Sequence, residues 1–402
     1  MSIAGRTPAP SSPTTIAMLI AVASLNPLSV NIIVPAMTAM AAGLGTDFAT
    51  IQLTLSAYLF ATSISQLVHG PLSDRFGRRP ILLAGTSIYI LASLLCLFAT
   101  TAWVVIVGRI LQGVGASAGF ALGRAIVRDL YEREKAASML GYVTMGFATA
   151  PLIAPLIGGL ITDNLGWRLV FVFMTIISVI LLAAIWFLLP ETRRPMPEGE
   201  TRPGFFQSFQ TLARIPAFWA YALHVGFNGG MFFTFLGGTP FVATTTFGMT
   251  GTQYGTYFAM VPLAFIFGNF LTARFSARLG IWTMIVTGSS IGLLASITSM
   301  LLLSSGWQNP FALFGPMYAI GLANGLTMAN GMAGAISVRP MLAGAASGIT
   351  GSFQIGFGAI ATVIIAHLLT TTEAGWMVGL QMGVCATIAL SFAIWSRWAR
   401  ST

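Results

Sequence analysis

The feature that most constrains this chain is the length of its uncharged runs. No Asp, Glu, Lys or Arg occurs in 7–46, 48–73, 80–108, 110–123, 136–162, 169–190, 215–273, 279–338, 340–372 or 374–396. A bilayer-crossing helix needs about 20 largely apolar residues. The run 110–123 joins the apolar residues from Trp103 onward, with Arg109 inside, to make one span. The runs 215–273 and 279–338 each hold two, divided at Thr250-Gly251 and at Gly306-Trp307-Gln308-Asn309-Pro310. This predicts twelve membrane helices. No alternation of roughly 10-residue segments suits a membrane β-barrel.

Charged residues make up 7% of the 402, against about 25% in soluble domains. That is too little to solvate a globular surface, which excludes a soluble enzyme, a nucleic-acid binder and a disordered chain. The formal charge of +9 has a topological meaning instead. With a cytoplasmic N-terminus, nearly all the basic residues fall on the inner side. They are Arg6, Arg75, Arg78, Arg79, Arg124, Arg128, Arg133, Lys135, Arg193, Arg194, Arg202, Arg214, Arg274, Arg278, Arg339, Arg397 and Arg400. Arg168 lies outside and Arg109 within the membrane. Both termini are thus expected in the cytoplasm. No cleavable signal is read at the N-terminus, whose first apolar run is too long for one. Cys96 and Cys385 sit in separate apolar runs and read as apolar filler rather than a disulfide.

The longest polar stretch follows the sixth span. It divides the chain into an N-terminal tail (1–13), a six-helix bundle (14–189), a linker (190–214) and a second six-helix bundle (215–398). The halves echo each other: Leu72-Ser73-Asp74-Arg75-Phe76-Gly77-Arg78-Arg79 follows span 2, and Leu271-Thr272-Ala273-Arg274-Phe275-Ser276-Ala277-Arg278 follows span 8. Parallel six-span repeats with a site between them form a transporter architecture.

Three motifs carry chemistry. In Gly70–Pro80, Gly77 permits a tight turn, and Asp74 can pair with Arg75, Arg78 or Arg79 or cap a helix as a latch between states. A loop that only sets topology accounts for the arginines but not for Asp74 and Gly77. In span 4, Arg109 is an ionisable group inside the bilayer, costly and therefore a functional candidate. Gln112 lies one turn away, with Gly113 and Gly115 allowing close helix approach. An arginine satisfied only by backbone carbonyls is the structural alternative. In span 5, Gly146, Pro151, Pro155, Gly158 and Gly159 predict a bent, tightly packed helix at a moving interface.

These motifs resemble the loop 2–3, span-4 and antiporter motifs of the major facilitator superfamily. Gln52-Leu53-Thr54-Leu55-Ser56, Gln66, Arg128-Asp129-Leu130-Tyr131, Gly166-Trp167-Arg168 and Pro190-Glu191-Thr192 narrow the resemblance to the bicyclomycin/chloramphenicol-resistance (Bcr/CflA) branch of twelve-span drug:proton antiporters. The resemblance implies an all-α membrane fold of two pseudo-symmetric six-helix bundles, and export of small-molecule drugs by alternating access. It implies protons as partner, a bacterial inner membrane as location, a monomer, and no cofactor, metal or nucleic acid.

One position departs from that pattern. The branch usually carries an acid in span 1 shortly before a proline; here Ser29-Val30-Asn31-Ile32-Ile33-Val34-Pro35 places Asn31 there. No Asp or Glu lies centrally in any span, and a cationic substrate would lack its offsetting carboxylate. The expected substrate is therefore neutral, zwitterionic or weakly anionic. Proton coupling would use another group, with Asp74 and His224 as candidates. Tyr221, His224 and Asn228 share a helix face, although a neutral histidine bonded between helices is an equally good reading of His224. Asn26, Asn31, Tyr58, Arg109, Gln112, Tyr221, His224, Asn228, Tyr257, Asn324 and Gln354 are the expected cavity residues. There is no phosphate-binding loop, metal-ligand cluster or nucleophile elbow, so an enzyme is not expected. The competing reading is an uncoupled or differently coupled carrier of one metabolite.

Overall fold

The computed structural model describes residues 13–131, 133–192, 205–307 and 309–399, without side-chain surroundings at 13, 16, 124, 128, 133–138, 140–148, 205 and 206. The predicted tail and much of the predicted linker lie outside these residues. Helices account for nearly all of them, and no strand occurs among them. In the first half, α1 (Pro13–Ile32) runs through a 3₁₀ turn at Val34–Ala36 into α2 (Met37–Gly43). Then come α3 (Phe48–Phe76), α4 (Arg78–Leu97), α5 (Ala102–Leu130), α6 (Arg133–Leu165) and α7 (Arg168–Leu188). A short helix, α8 (Phe205–Ala213), stands in the region read as linker and packs on the second half. The second half holds α9 (Pro216–Thr245), α10 (Gly251–Ser304), α11 (Phe311–Ser337), α12 (Ala343–Thr372) and α13 (Met377–Trp398).

Nine helices among the described residues are long and apolar enough to cross a membrane. One of them, α10, is two limbs joined at Gly280, and α6 and α9 have 33 and 30 residues. This is consistent with twelve crossings. The surface is inverted relative to a soluble protein. Phe60, Leu91, Phe98, Trp103, Ile180, Phe187 and Leu294 are exposed, while Gln52, Arg109, His224 and Asn228 are buried. Lipid solvates the first set, and polar groups must find partners inside.

The repeat is visible in the backbone, but its register differs from the sequence reading. Asp47 caps the 29-residue α3, which ends at Gly77 with φ 101° and ψ 157°. Thr250 caps a limb of the same length in α10, which ends at Gly280 with φ 82° and ψ 155°. Gly280, not Ser276, is therefore the counterpart of Gly77. The arginine pattern sets the halves about one helical turn out of register, and Arg274–Arg278 is helical rather than a loop. Positive φ suits glycine at both turns.

The halves meet chiefly where α6 packs on α10 and where α3 packs on α12. A Cβ on Gly159 would lie 2.3 Å from the Gly251 carbonyl, and one on Gly255 would lie 2.6 Å from the Pro155 carbonyl. Glycine is what lets these backbones touch. On the other seam, the Ser63 hydroxyl donates to the Ser352 carbonyl at 2.7 Å and the Ser352 hydroxyl donates to the Ser63 carbonyl at 2.9 Å. Ser56 and Thr362 share a hydroxyl–hydroxyl bond of 2.8 Å.

Candidate transport site and cytoplasmic network

The predicted cavity residues form two clusters, one in each half. In the first, Arg109 of α5 is completely buried. Its guanidinium donates to the Ser29 hydroxyl at 3.0 Å, the Ser29 carbonyl at 3.2 Å and the Gln112 side-chain oxygen at 2.8 Å. The cation lies 4.1 Å from the centre of the Tyr58 ring, a favourable cation–π placement. Gln112 passes the chain on to the Ser93 hydroxyl at 2.7 Å, and the Tyr58 hydroxyl donates to the Asn26 carbonyl at 3.3 Å. Arg109 thus ties α1, α3, α4 and α5 together with neutral groups alone. It is enclosed in the bundle in this state, where the sequence reading put it beside the cavity.

Asn31 is also buried. Its amide donates to the Pro27 carbonyl at 2.8 Å, and its side-chain oxygen has no partner among the described residues. The amide thus bonds back within its own helix. The next residue, Ile32, packs on α6, where a Cβ on Gly158 would meet its carbonyl at 2.0 Å. This is the close packing expected of the span-5 motif. Pro155 is buried and Pro151 half-buried in the same helix. Gly146 lies in α6 too, but its surroundings are outside the described residues.

In the second half, Asn228 donates to the Asn324 side-chain oxygen at 3.0 Å and to the Thr327 hydroxyl at 2.5 Å, joining α9 to α11. The rest of the predicted face also lies against α11, with His224 beside Gly331 and Tyr221 beside Gly334. His224 Nδ1 is 3.0 Å from the Ala389 carbonyl of α13; a carbonyl only accepts, so Nδ1 carries the hydrogen. The ring is fully buried, and its Nε2 has no partner among the described residues. Tyr221 packs on Gly334, where a Cβ would lie 2.5 Å from its ring. Tyr257 joins an aromatic group instead, 5.3 Å from Phe314 and 5.8 Å from Phe311. Gln354 is half-buried where α12 crosses Gly229 of α9.

The loop motif builds a charged network. Arg78 pairs with Asp74 at 2.7 Å and with Asp129 of α5 at 3.1 Å, and it also bonds the Ser73 hydroxyl. Arg79 donates to the Trp186 carbonyl at 2.7 Å and stacks 5.4 Å from that ring. Arg75 lies 5.2 Å from the Phe76 ring. Sequence reasoning quoted the centre of this network, Glu191, only as part of a motif and gave it no role. The Glu191 carboxylate accepts from the backbone N–H groups of Arg78 at 2.9 Å and Arg79 at 3.2 Å. It caps α4 and covers Gly77 so closely that a Cβ there would lie 2.4 Å from its oxygen. The available signal was an acid beside Pro190, two residues past Leu189 at the end of span 6. These partners belong to the N-terminal half and the first residues after it, so the network fastens α3, α4, α5 and the end of α7 to one another.

The matches to known proteins agree with this architecture. Residues 19–362 match the family model described as Major Facilitator Superfamily, and the chain belongs to that family. It is 33% identical over 380 residues to a protein of Pseudomonas aeruginosa named chloramphenicol resistance protein, covering 92% of this chain and 87% of that one. It is 29% identical over 374 residues to a bicyclomycin resistance protein homolog of Haemophilus influenzae, covering 91% and 92%. Both fall in the branch the motifs resemble. The fold also matches a bacterial homolog of the human lysosomal transporter Spinster, solved inward-facing and unoccupied. That match has a TM-score of 0.70 and 15% identity, covering 99% and 96% of the two chains. The protein is a multi-pass membrane transporter of small molecules and not an enzyme.

Proposed function

We propose that this chain exports lipophilic antibiotics of the phenicol type, neutral or zwitterionic, by alternating access in a bacterial inner membrane. Both termini lie in the cytoplasm and the monomer is the working unit. The observation that carries the substrate class is the polar interior. Among the described residues, its one fully buried charge is the cation of Arg109, already held by Ser29, Gln112 and Tyr58, and the Asn228–Asn324–Thr327 cluster of the other half is neutral. Among the described residues, a permanently cationic compound finds no carboxylate in either cluster to offset its desolvation. The names of the relatives support export of antibiotics.

Proton antiport is part of this proposal, with Asp74 and His224 as the groups that would exchange the proton. Two bundles rock about the seam between them, and substrate shifts the equilibrium only by binding one state better than the other. Purified protein in liposomes, given a labelled phenicol with and without an imposed proton gradient, tests it. Uphill movement that collapses with the gradient is expected.

Asn31 favours a second reading, a carrier of one metabolite that is uncoupled or differently coupled. Its amide is already engaged with Pro27 and cannot titrate. Equilibration that ignores the gradient would establish this reading in place of antiport.

A further inference from the structure

The first turn of α10 is completed by a residue of the other half. A helix leaves its first N–H groups without intrahelical partners. In α10 the Thr250 hydroxyl takes the N–H of Gln253 at 3.2 Å, which leaves those of Gly251 and Thr252. Both point at the carboxylate of Asp163, near the end of α6, at 3.1 and 2.7 Å. The Thr252 hydroxyl adds a third bond at 2.6 Å. A carboxylate at a helix N-terminus also gains from the aligned peptide dipoles, and bonds to an ionised acceptor are the stronger kind.

These bonds cross between the halves, at the end of the seam where closure is tightest. Gly159 touches Gly251 one turn below the carboxylate, and Gly255 touches Pro155 one turn below that. On the neighbouring α3–α9 contact, the Phe48 and Phe241 rings are 5.2 Å apart. Opposite these contacts, the fully buried Gln52 side chain has no partner for its oxygen or its nitrogen among the described residues. Closing this end buries a bare amide, which disfavours closure, so something must hold the end shut.

We infer that Asp163 is that clasp: its carboxylate holds the outer end of the α6–α10 seam closed, and each transport cycle must release it. The clasp rests on the alternating-access reading above, and its test reads conformation rather than transport. Cys96 and Cys385 are replaced by alanine, and Gln52→Cys is introduced as a reporter that is sealed in the closed state. Alkylation by a soluble maleimide is then timed on the purified protein.

Asp163→Ala is expected to speed labelling about tenfold, the effect of losing a charged hydrogen-bond set. Thr252→Pro removes a backbone donor and the hydroxyl at a position where a helix start tolerates proline, and should do the same. Thr252→Val, which keeps the backbone donors, should fall between. Asn164→Ala, beside the clasp but bonded only within its own helix, should label at the parent rate. Parent-rate labelling in both Asp163→Ala and Thr252→Pro overturns the clasp. Faster labelling in a protein that moves no phenicol leaves the clasp standing and removes only the export reading.

Discussion

Ser63 and Ser352 each donate a hydroxyl hydrogen to the other's backbone carbonyl, at 2.7 and 2.9 Å. The pair is reciprocal and joins α3 of one half to α12 of the other. Gly356 makes room for it, since a Cβ there would lie 3.1 Å from the Ser63 oxygen. Hydrogen bonds between membrane helices contribute about 0.6 kcal/mol each on average. Ser63→Ala and Ser352→Ala should each lower thermal stability in detergent by about that much, and the double variant by about twice it. Melting curves that superimpose on the parent would remove the pair from the energetics of closure.

Arg109 should not tolerate lysine. Its planar fork spans Ser29 and Gln112 while the flat face stacks on Tyr58, and an ammonium cannot do both. Arg109→Lys and Arg109→Ala should both abolish phenicol transport while the protein still reaches the membrane. Arg109→Ala should also be the less stable, by about 1–3 kcal/mol, because buried acceptors lose their donor. Transport at the parent rate by the lysine variant would show that charge alone suffices.

The loop network separates two effects. Asp74 is about half exposed and meets only the far side of Arg78, which Asp129 also holds. Asp74→Asn should therefore stop transport with little change in melting temperature. Glu191→Ala strips the cap from α4 and should lower stability by about 1 kcal/mol as well as impair transport. Normal transport by Asp74→Asn removes that residue from the mechanism.

Asp47 supplies a pH dependence. Its carboxylate accepts from the Thr50 backbone N–H at 2.6 Å, and that bond holds its pKa below the usual aspartate range. A depressed folded-state pKa contributes stability above the unfolded pKa and loses it as pH falls through the folded one. Asp47→Ala should be less stable by about 1 kcal/mol near neutral pH, and the difference should shrink below about pH 4. A gap that stays constant down to pH 3 would mean that the carboxylate charge contributes nothing.

The crossings were legible because lipid imposes one rule, a charge-free run of sufficient length, and loop residues at Thr250-Gly251 and Gly306–Pro310 divided the two runs that were too long for one crossing. The partition of the site was not legible. Helical spacing puts Tyr221, His224 and Asn228 on one face, and α11 covers all three, but spacing gave no sign that His224 also bonds the Ala389 carbonyl of α13. Periodicity reports a face and not which neighbour covers it. Glu191 and Asp163 escaped for a related reason. Each acts on backbone N–H groups far away in sequence, and a backbone donor leaves no trace in residue types. The register of the repeat slipped because it was set by arginines, whereas the backbone conserves a capped helix and a left-handed glycine.

That glycine pair distinguishes the two arms of the molecule. Gly77 is covered by Glu191, but a side chain at Gly280 would meet open space. If the halves descend from one duplicated unit, a single copy carries the brace and the other has a compliant elbow at the same joint. Load applied across the seam would then be taken up unequally, with the N-terminal arm moving as a block and the C-terminal arm flexing between the limbs of α10. A protein built this way can acquire changes around Gly280 at less mechanical cost than around Gly77, which makes the C-terminal elbow the natural place for relatives to diverge.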